Sequence, residues 1–194
     1  MICEGFNVGF RIGISKPFYR PQENKQRKLF SGEELVKKLN TELENGRILG
    51  PYKTTPINYL IISPLYTIPK STPGKFRLIH NLSYPKLSSV NDHIPDSEKC
   101  VEYCSLIDVA RFLVKHGNTS WWLSKVDLKD AYRCVPIHKD DWRYLGMKFQ
   151  DKYFCDTCLP MRLGTSCRIF TEVSNALAWA TTQNLPYLTI WMIF

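Results

Sequence analysis

The most constraining feature of this chain is an acidic residue set where an apolar approach gives way to a turn. Trp121, Trp122, Leu123 and Val126 read as a short buried strand, and Asp127 stands where it ends, followed by Leu128-Lys129-Asp130-Ala131-Tyr132. A carboxylate fixed at a strand end by a rigid sheet is what a hard divalent cation needs, because oxygen ligands must be held in place. The bland alternative is an Asp that caps the helical turn after it. The flanking sequence decides between the two.

The 194 residues are 44% hydrophobic, enough to bury a core, and the chain as a whole is not disordered by composition. Net charge is +8, and Arg11, Lys16, Arg20, Lys25, Arg27 and Lys28 place much of the excess in one early stretch. Basic residues interleaved with aromatics suit a nucleic-acid partner, although a solvated basic surface gives the same pattern. The cysteines number seven, an odd count, and Glu4 interrupts any leading apolar run. The expectation is a reducing intracellular compartment, nucleus or cytoplasm, without secretion or a disulfide framework. Cys155 and Cys158 have the spacing of half a zinc site, with Cys100 and Cys104 as a conceivable second half. No histidine pair completes it, and the strand-like Tyr153-Phe154-Cys155 favours buried thiols. The apolar stretch from Leu185 is too short to span a bilayer.

Local signals place the elements. Residues 1–30 show little periodicity and read as an extended, partly ordered basic arm. Ser31 and Glu34 form a capping-box pattern ahead of Leu35, Val36, Leu39 and Leu43, a helix that Asn45-Gly46 ends. Tyr59–Pro69 reads as an interrupted strand and Lys75–Leu82 as its partner, with Pro73-Gly74 between them. Ser105 and Asp108 open a second helix, stopped at Gly117-Asn118. Tyr144–Phe149 and Lys152–Cys158 flank Gln150-Asp151 as a hairpin, and a last helix runs from about Ser166 to Ala180.

Four segments, in order, resemble the motifs of reverse transcriptases. Pro69-Lys70 through Lys75-Phe76-Arg77 is similar to that family's fingers hairpin, and Asp127–Tyr132 to its first catalytic motif. Pro136–Gly146 resembles the link from palm back to fingers, where His138, Asp140 and Asp141 would be structural. Leu159-Pro160-Met161-Arg162 resembles the L-P-x-G motif, with Arg162 where the family has glycine. Gly9-Phe-Arg-Ile-Gly13, Phe76–Pro85, Ser88–Asp92 and Cys158–Met161 look most like the polymerases of DIRS-like retrotransposons, which carry a tyrosine recombinase.

The resemblance implies an α+β fold, the fingers and partial palm of a right-hand polymerase. Its parts would be a basic arm (1–30), fingers with a leading helix (31–100), a first palm part (101–136), a fingers return hairpin (137–160) and a truncated second palm part (161–194). It implies RNA-directed DNA synthesis from dNTPs on an RNA or DNA template–primer with Mg²⁺. Lys70 and Arg77 would grip the triphosphate, a point charge and a planar fork suited to its oxygens. Asp127, with Leu128, would hold metal, and Asp130, Ala131, Tyr132 and Met161 would line the dNTP site, Tyr132 excluding a ribose 2′-hydroxyl. Arg162 and Gly164 would meet template–primer. Arginine at 162 removes the close approach and dihedral freedom that glycine gives.

The resemblance also implies an Asp pair in a Tyr-x-Asp-Asp hairpin after the palm helix, but no acidic residue follows Glu172. At that place the chain reads Thr189-Ile190-Trp191-Met192-Ile193-Phe194. Trp, Met and Ile require TGG ATG ATN. Read from the third base of the Ile190 codon, the triplets become Leu or Met followed by GAT GAT, Asp-Asp, after a triplet that permits Tyr. The expectation is a slipped reading frame that turns the catalytic pair into apolar residues and leaves a polymerase fragment without turnover. Rival readings are a non-catalytic nucleic-acid-binding remnant and a small zinc module on Cys155 and Cys158.

Overall fold

The computed structural model describes residues 9–19, 32–103, 105–117 and 127–182. The expected strand Trp121–Val126, the cap Ser31, Cys104, Asn118, most of the basic arm and the segment Thr189–Phe194 lie outside the described residues.

The described elements are helix α1 (Gly32–Glu44), strands β1 (Ile48–Tyr52), β2 (Leu65–Pro69) and β3 (Phe76–His80), helix α2 (Leu106–Lys115), strands β4 (Gly146–Phe149) and β5 (Lys152–Asp156), and helix α3 (Ser166–Thr182). Strands β1, β5 and β4 form an antiparallel sheet in that order, and β2 and β3 form a separate antiparallel ribbon. Short 3₁₀ turns at Asn91–His93, Asp96–Glu98, Ala131–Cys134 and Lys139–Tyr144 carry the chain between them.

Helix α1 buries Leu35 and Leu39, one turn apart, against Ile48, Leu65, Met147 and Phe154, so it caps the β1-β5-β4 sheet and touches the ribbon. Glu34 pairs with Lys37 at 2.9 Å. Helix α2 opens on the expected capping box, in which Ser105 accepts from the Asp108 N–H and Asp108 from the Ser105 N–H. The β4–β5 hairpin turns at Gln150 and Asp151, both with positive φ (48° and 56°), as a tight primed turn requires.

Three features add detail that local sequence signals do not carry. The interrupted strand expected over Tyr59–Pro69 becomes regular from Leu65, because Tyr59 adopts φ 58° and Pro64 withholds a donor. Its earlier part instead packs Leu60 and Ile61 into the interior and bridges Ile62 to Gly146. A Cβ on Gly146 would stand 2.7 Å from the Ile61 carbonyl, so this crossing needs glycine. Strand β1 was not read from the sequence at all. The described part of the N-terminal arm, residues 9–19, is built into the molecule: Phe10 bridges Ile137, and Ile12 is fully buried in the main core with Leu82, Val90, Leu145, Leu159 and Ile169.

Candidate functional site

Asp127 is exposed at the start of a tight turn whose hydrophobic side faces the main core through Leu128, Ala131 and Tyr132. The Ala131 N–H donates to the Leu128 carbonyl at 3.3 Å and the Arg133 N–H to that of Asp130 at 2.7 Å, which closes the turn. Asp130 adopts the left-handed conformation (φ 57°, ψ 24°), one that Asp tolerates better than most residues. Its carboxylate takes a 2.8 Å ion pair from Arg47, and that hydrogen bond holds it below the usual carboxylate range.

Tyr132 lies against α3. Its ring meets Phe170 edge-on, centroids 5.1 Å apart, and its hydroxyl sits 3.4 Å from the Cys167 sulfur, one helical turn before Phe170. Burial, then the Cys167 contact, pushes the phenol pKa upward, so the hydroxyl stays protonated.

Arg133 anchors the turn from below. It donates to Glu42 at 2.8 and 3.0 Å, to Asp156 at 2.7 Å and to the Cys158 carbonyl at 3.2 Å. Asp156 in turn meets His80 Nδ1 at 3.0 Å, and His80 Nε2 meets the Gly146 carbonyl at 3.2 Å. A chain of hydrogen bonds therefore links α1, the Asp127 turn, β5 and the end of β3. Burial alone would raise the Asp156 carboxyl, but Arg133 and His80 outweigh it and hold the pKa low.

On the β2–β3 ribbon, Ile68 stands opposite Arg77, and the Lys70 N–H donates to the Lys75 carbonyl at 2.7 Å. Strand alternation then sets Lys70 and Arg77 diagonally on one face of the ribbon. Both are exposed, and among the described residues neither they nor Asp127 form a side-chain hydrogen bond or ion pair.

The loop Leu159–Gly164 buries Leu159 and Leu163 and exposes Met161 and Arg162. Arg162 is absent from the positive-φ residues, so the backbone freedom expected of glycine there is not used in this chain. Gly164 is the tighter position: a Cβ would stand 3.2 Å from the Lys99 side chain. Asn91 grips this loop, accepting from the Gly164 N–H at 2.8 Å and donating to the Arg162 carbonyl at 2.9 Å.

Asp141 is buried and accepts from Arg11 and from the Ile12 N–H (2.8 Å), a structural use that ties residues 9–19 to the Lys139–Tyr144 turn. Cys155 is buried, with its thiol on the Trp142 carbonyl. No group of three or more His, Cys, Asp or Glu able to hold a metal occurs among the described residues.

Arg47, Asn91 and the Arg133–Asp156 pair were not identified from sequence. Asn91 lies inside the Ser88–Asp92 segment, but its partners on the Leu159–Gly164 loop are some seventy residues away in the chain.

The sequence matches no protein-family model and no curated protein. Its fold, however, is similar to solved foamy virus protease–reverse transcriptases. One, in complex with dsDNA, gives a TM-score of 0.61 at 19% identity, over 95% of this chain and 35% of that one. The native prototype foamy virus enzyme gives 0.61 at 19% identity, over 93% and 22%. A complex with RNA/DNA hybrid gives 0.59 at 16% identity, over 93% and 22%. The fold is thus reverse-transcriptase-like, and the chain spans about a third or less of the structures it matches.

Proposed function

We propose that this chain is the fingers and part of the palm of a DIRS-like retrotransposon reverse transcriptase, and that it holds nucleic acid without polymerising. The observation that carries the reading is agreement between two independent lines. Four motifs stand in polymerase order in the sequence, and the fold likeness extends over 95% of the chain.

In this reading Lys70 and Arg77, on one face of the ribbon and without an ion-pair partner among the described residues, meet the triphosphate of a dNTP. Leu128 to Ala131 present main chain to the phosphates, with Asp130 kept in place by Arg47. Tyr132, fixed on α3, sets the floor under the sugar and excludes a 2′-hydroxyl by contact. Met161, Arg162 and Gly164 face the template–primer. Salt-dependent affinity for nucleic acid follows from the exposed cations.

The residues present do not fit a pair of magnesium ions. Asp127 offers one carboxylate with no partner among the described residues, Asp130 is engaged by Arg47, and Leu128 contributes only a carbonyl that already accepts from Ala131. Two divalent ions held about 4 Å apart need several carboxylates between them. No chemical step is therefore assigned to this chain. In the sequence, Thr189–Phe194 fall where the resemblance implies the Asp pair, and a slipped reading frame would account for them, because their codons hide Asp-Asp in the alternate frame. Sequencing the transcript tests the slip: GATGAT in that frame, followed by continuing polymerase sequence, supports it, and an alternate frame without that continuation refutes it.

The second reading, a non-catalytic nucleic-acid-binding remnant of a retrotransposon that keeps a basic surface and no turnover, is favoured by the net charge of +8 alone. Titration of an RNA/DNA hybrid and of its dNTP complement separates the two. Hybrid-dependent protection of Lys70 and Arg77 by an added matching dNTP supports the polymerase reading, and hybrid binding indifferent to dNTP supports the remnant.

A further inference from the structure

The amide of Asn91 donates both its hydrogens and accepts one bond, and every partner belongs to a different segment from its own turn. Its Nδ2 donates to the Arg162 carbonyl (2.9 Å) and the Ser83 hydroxyl (2.8 Å), and its Oδ1 accepts from the Gly164 N–H (2.8 Å). The platform beneath is rigid. The Asn91 N–H donates to the Leu82 carbonyl at 3.0 Å, and Val90 and Ile94 on either side are buried in the main core. Ser89 and Asp92 cap one another, and Phe18 stacks flat on His93 with ring centroids 3.5 Å apart. On the other side of the clamp, Arg162 is exposed and its guanidinium has no partner among the described residues.

We infer that Asn91 is a positioning residue for nucleic-acid binding. It holds the main chain of residues 162 and 164 inward, so that the Arg162 guanidinium is presented outward to a backbone phosphate of an RNA/DNA hybrid. This rests on the nucleic-acid reading above. It also reverses the meaning of the arginine at 162. With its carbonyl held inward and its φ negative, Arg162 adds a phosphate contact where glycine would have offered only clearance.

The test is a double-mutant cycle on the full chain with a labelled RNA/DNA hybrid, read by equilibrium binding across a salt series. Arg162→Ala is expected to reduce the slope of log K against log salt by about one, the signature of one lost phosphate contact. Asn91→Ala is expected to weaken binding about tenfold by releasing the loop, and the double variant to bind no worse than the weaker single variant. Asn91→Asp keeps the acceptor for Gly164 and is expected to recover part of the loss. Amide exchange at Gly164 reports the clamp directly: protected in the wild type and Asn91→Asp, and unprotected in Asn91→Ala. Losses that multiply in the double variant, or wild-type affinity in Asn91→Ala with the Gly164 amide unprotected, overturn the inference alone. A wild-type chain with a protected Gly164 that fails to bind hybrid overturns the nucleic-acid reading and the inference with it.

Discussion

Arg133 donates to Asp156 at 2.7 Å, and the two side chains are only 13% and 4% exposed. The pair joins the turn that carries Asp127 to the last residue of β5, and Glu42 on α1 completes it at 2.8 Å. Burying two opposite charges gains little net energy over apolar packing, but leaving one of them alone is costly. Arg133→Met is therefore expected to destabilise the fold by about 3–5 kcal/mol, since Asp156 would remain buried without its cation. Urea unfolding of the variant measures it.

The same pair sets an acid limit. The folded Asp156 pKa lies below the unfolded value of about 3.9, so its contribution is complete at neutral pH. It is lost as pH falls below about 4 toward the folded value. Stability of the wild type is expected to drop through this window more steeply than that of Asp156→Asn, which is weaker at pH 7 but flatter. Thermal melts between neutral and strongly acidic pH make the comparison.

Arg47 and Asp130 make a different kind of pair. Asp130 is 44% exposed, so solvent screens the interaction. A double-mutant cycle of Arg47→Met and Asp130→Asn is expected to give a coupling energy of less than about 1 kcal/mol in stability. A larger coupling would show that the turn is held chiefly by this ion pair and not by the Leu128 and Asp130 main-chain bonds.

How much of this was legible in advance depends on how local each signal was. Helix α2 begins where Ser105 and Asp108 place it, and the hairpin turns at Gln150-Asp151, because those signals act within a few residues. Strand β1 contains Gly50 and Pro51 and has no alternating burial, so nothing in Ile48–Tyr52 announces a strand; its pairing with Cys155 and Asp156 creates it. Ile12 is likewise buried by partners far along the chain. At the candidate site, Asp127 and Tyr132 were readable as a motif. Arg133, adjacent to them, carries no local signal because its partners, Glu42 and Asp156, lie 91 and 23 residues away.

The hairpin turn offers a gain in stability. Gln150 and Asp151 both sit in the left-handed region, where Asn and Gly are at ease. The replacement Gln150→Asn with Asp151→Gly forfeits only an exposed pair to Lys148 and is expected to add about 1 kcal/mol, or roughly 2–4 °C in Tm. Calorimetry checks the direction and size.

Thiol chemistry distinguishes a buried cysteine from a metal ligand. Burial, with the Asp156 charge adding to it, pushes the Cys155 pKa up, which starves it of the reactive thiolate. Under native conditions a maleimide is expected to label the exposed Cys100, Cys134 and Cys167 well before Cys155. Peptide mapping gives the order, and zinc-dependent protection of Cys158 would instead revive the metal-module reading.

Primer extension is the most direct test of the central claim, a polymerase fold whose metal cage is incomplete. The purified chain and Asp127→Asn are each given an RNA template, a DNA primer, dNTPs and Mg²⁺. Neither is expected to lengthen the primer, although both retain it in a salt-sensitive complex. Nucleotide incorporation by the wild type that disappears in Asp127→Asn would contradict the account.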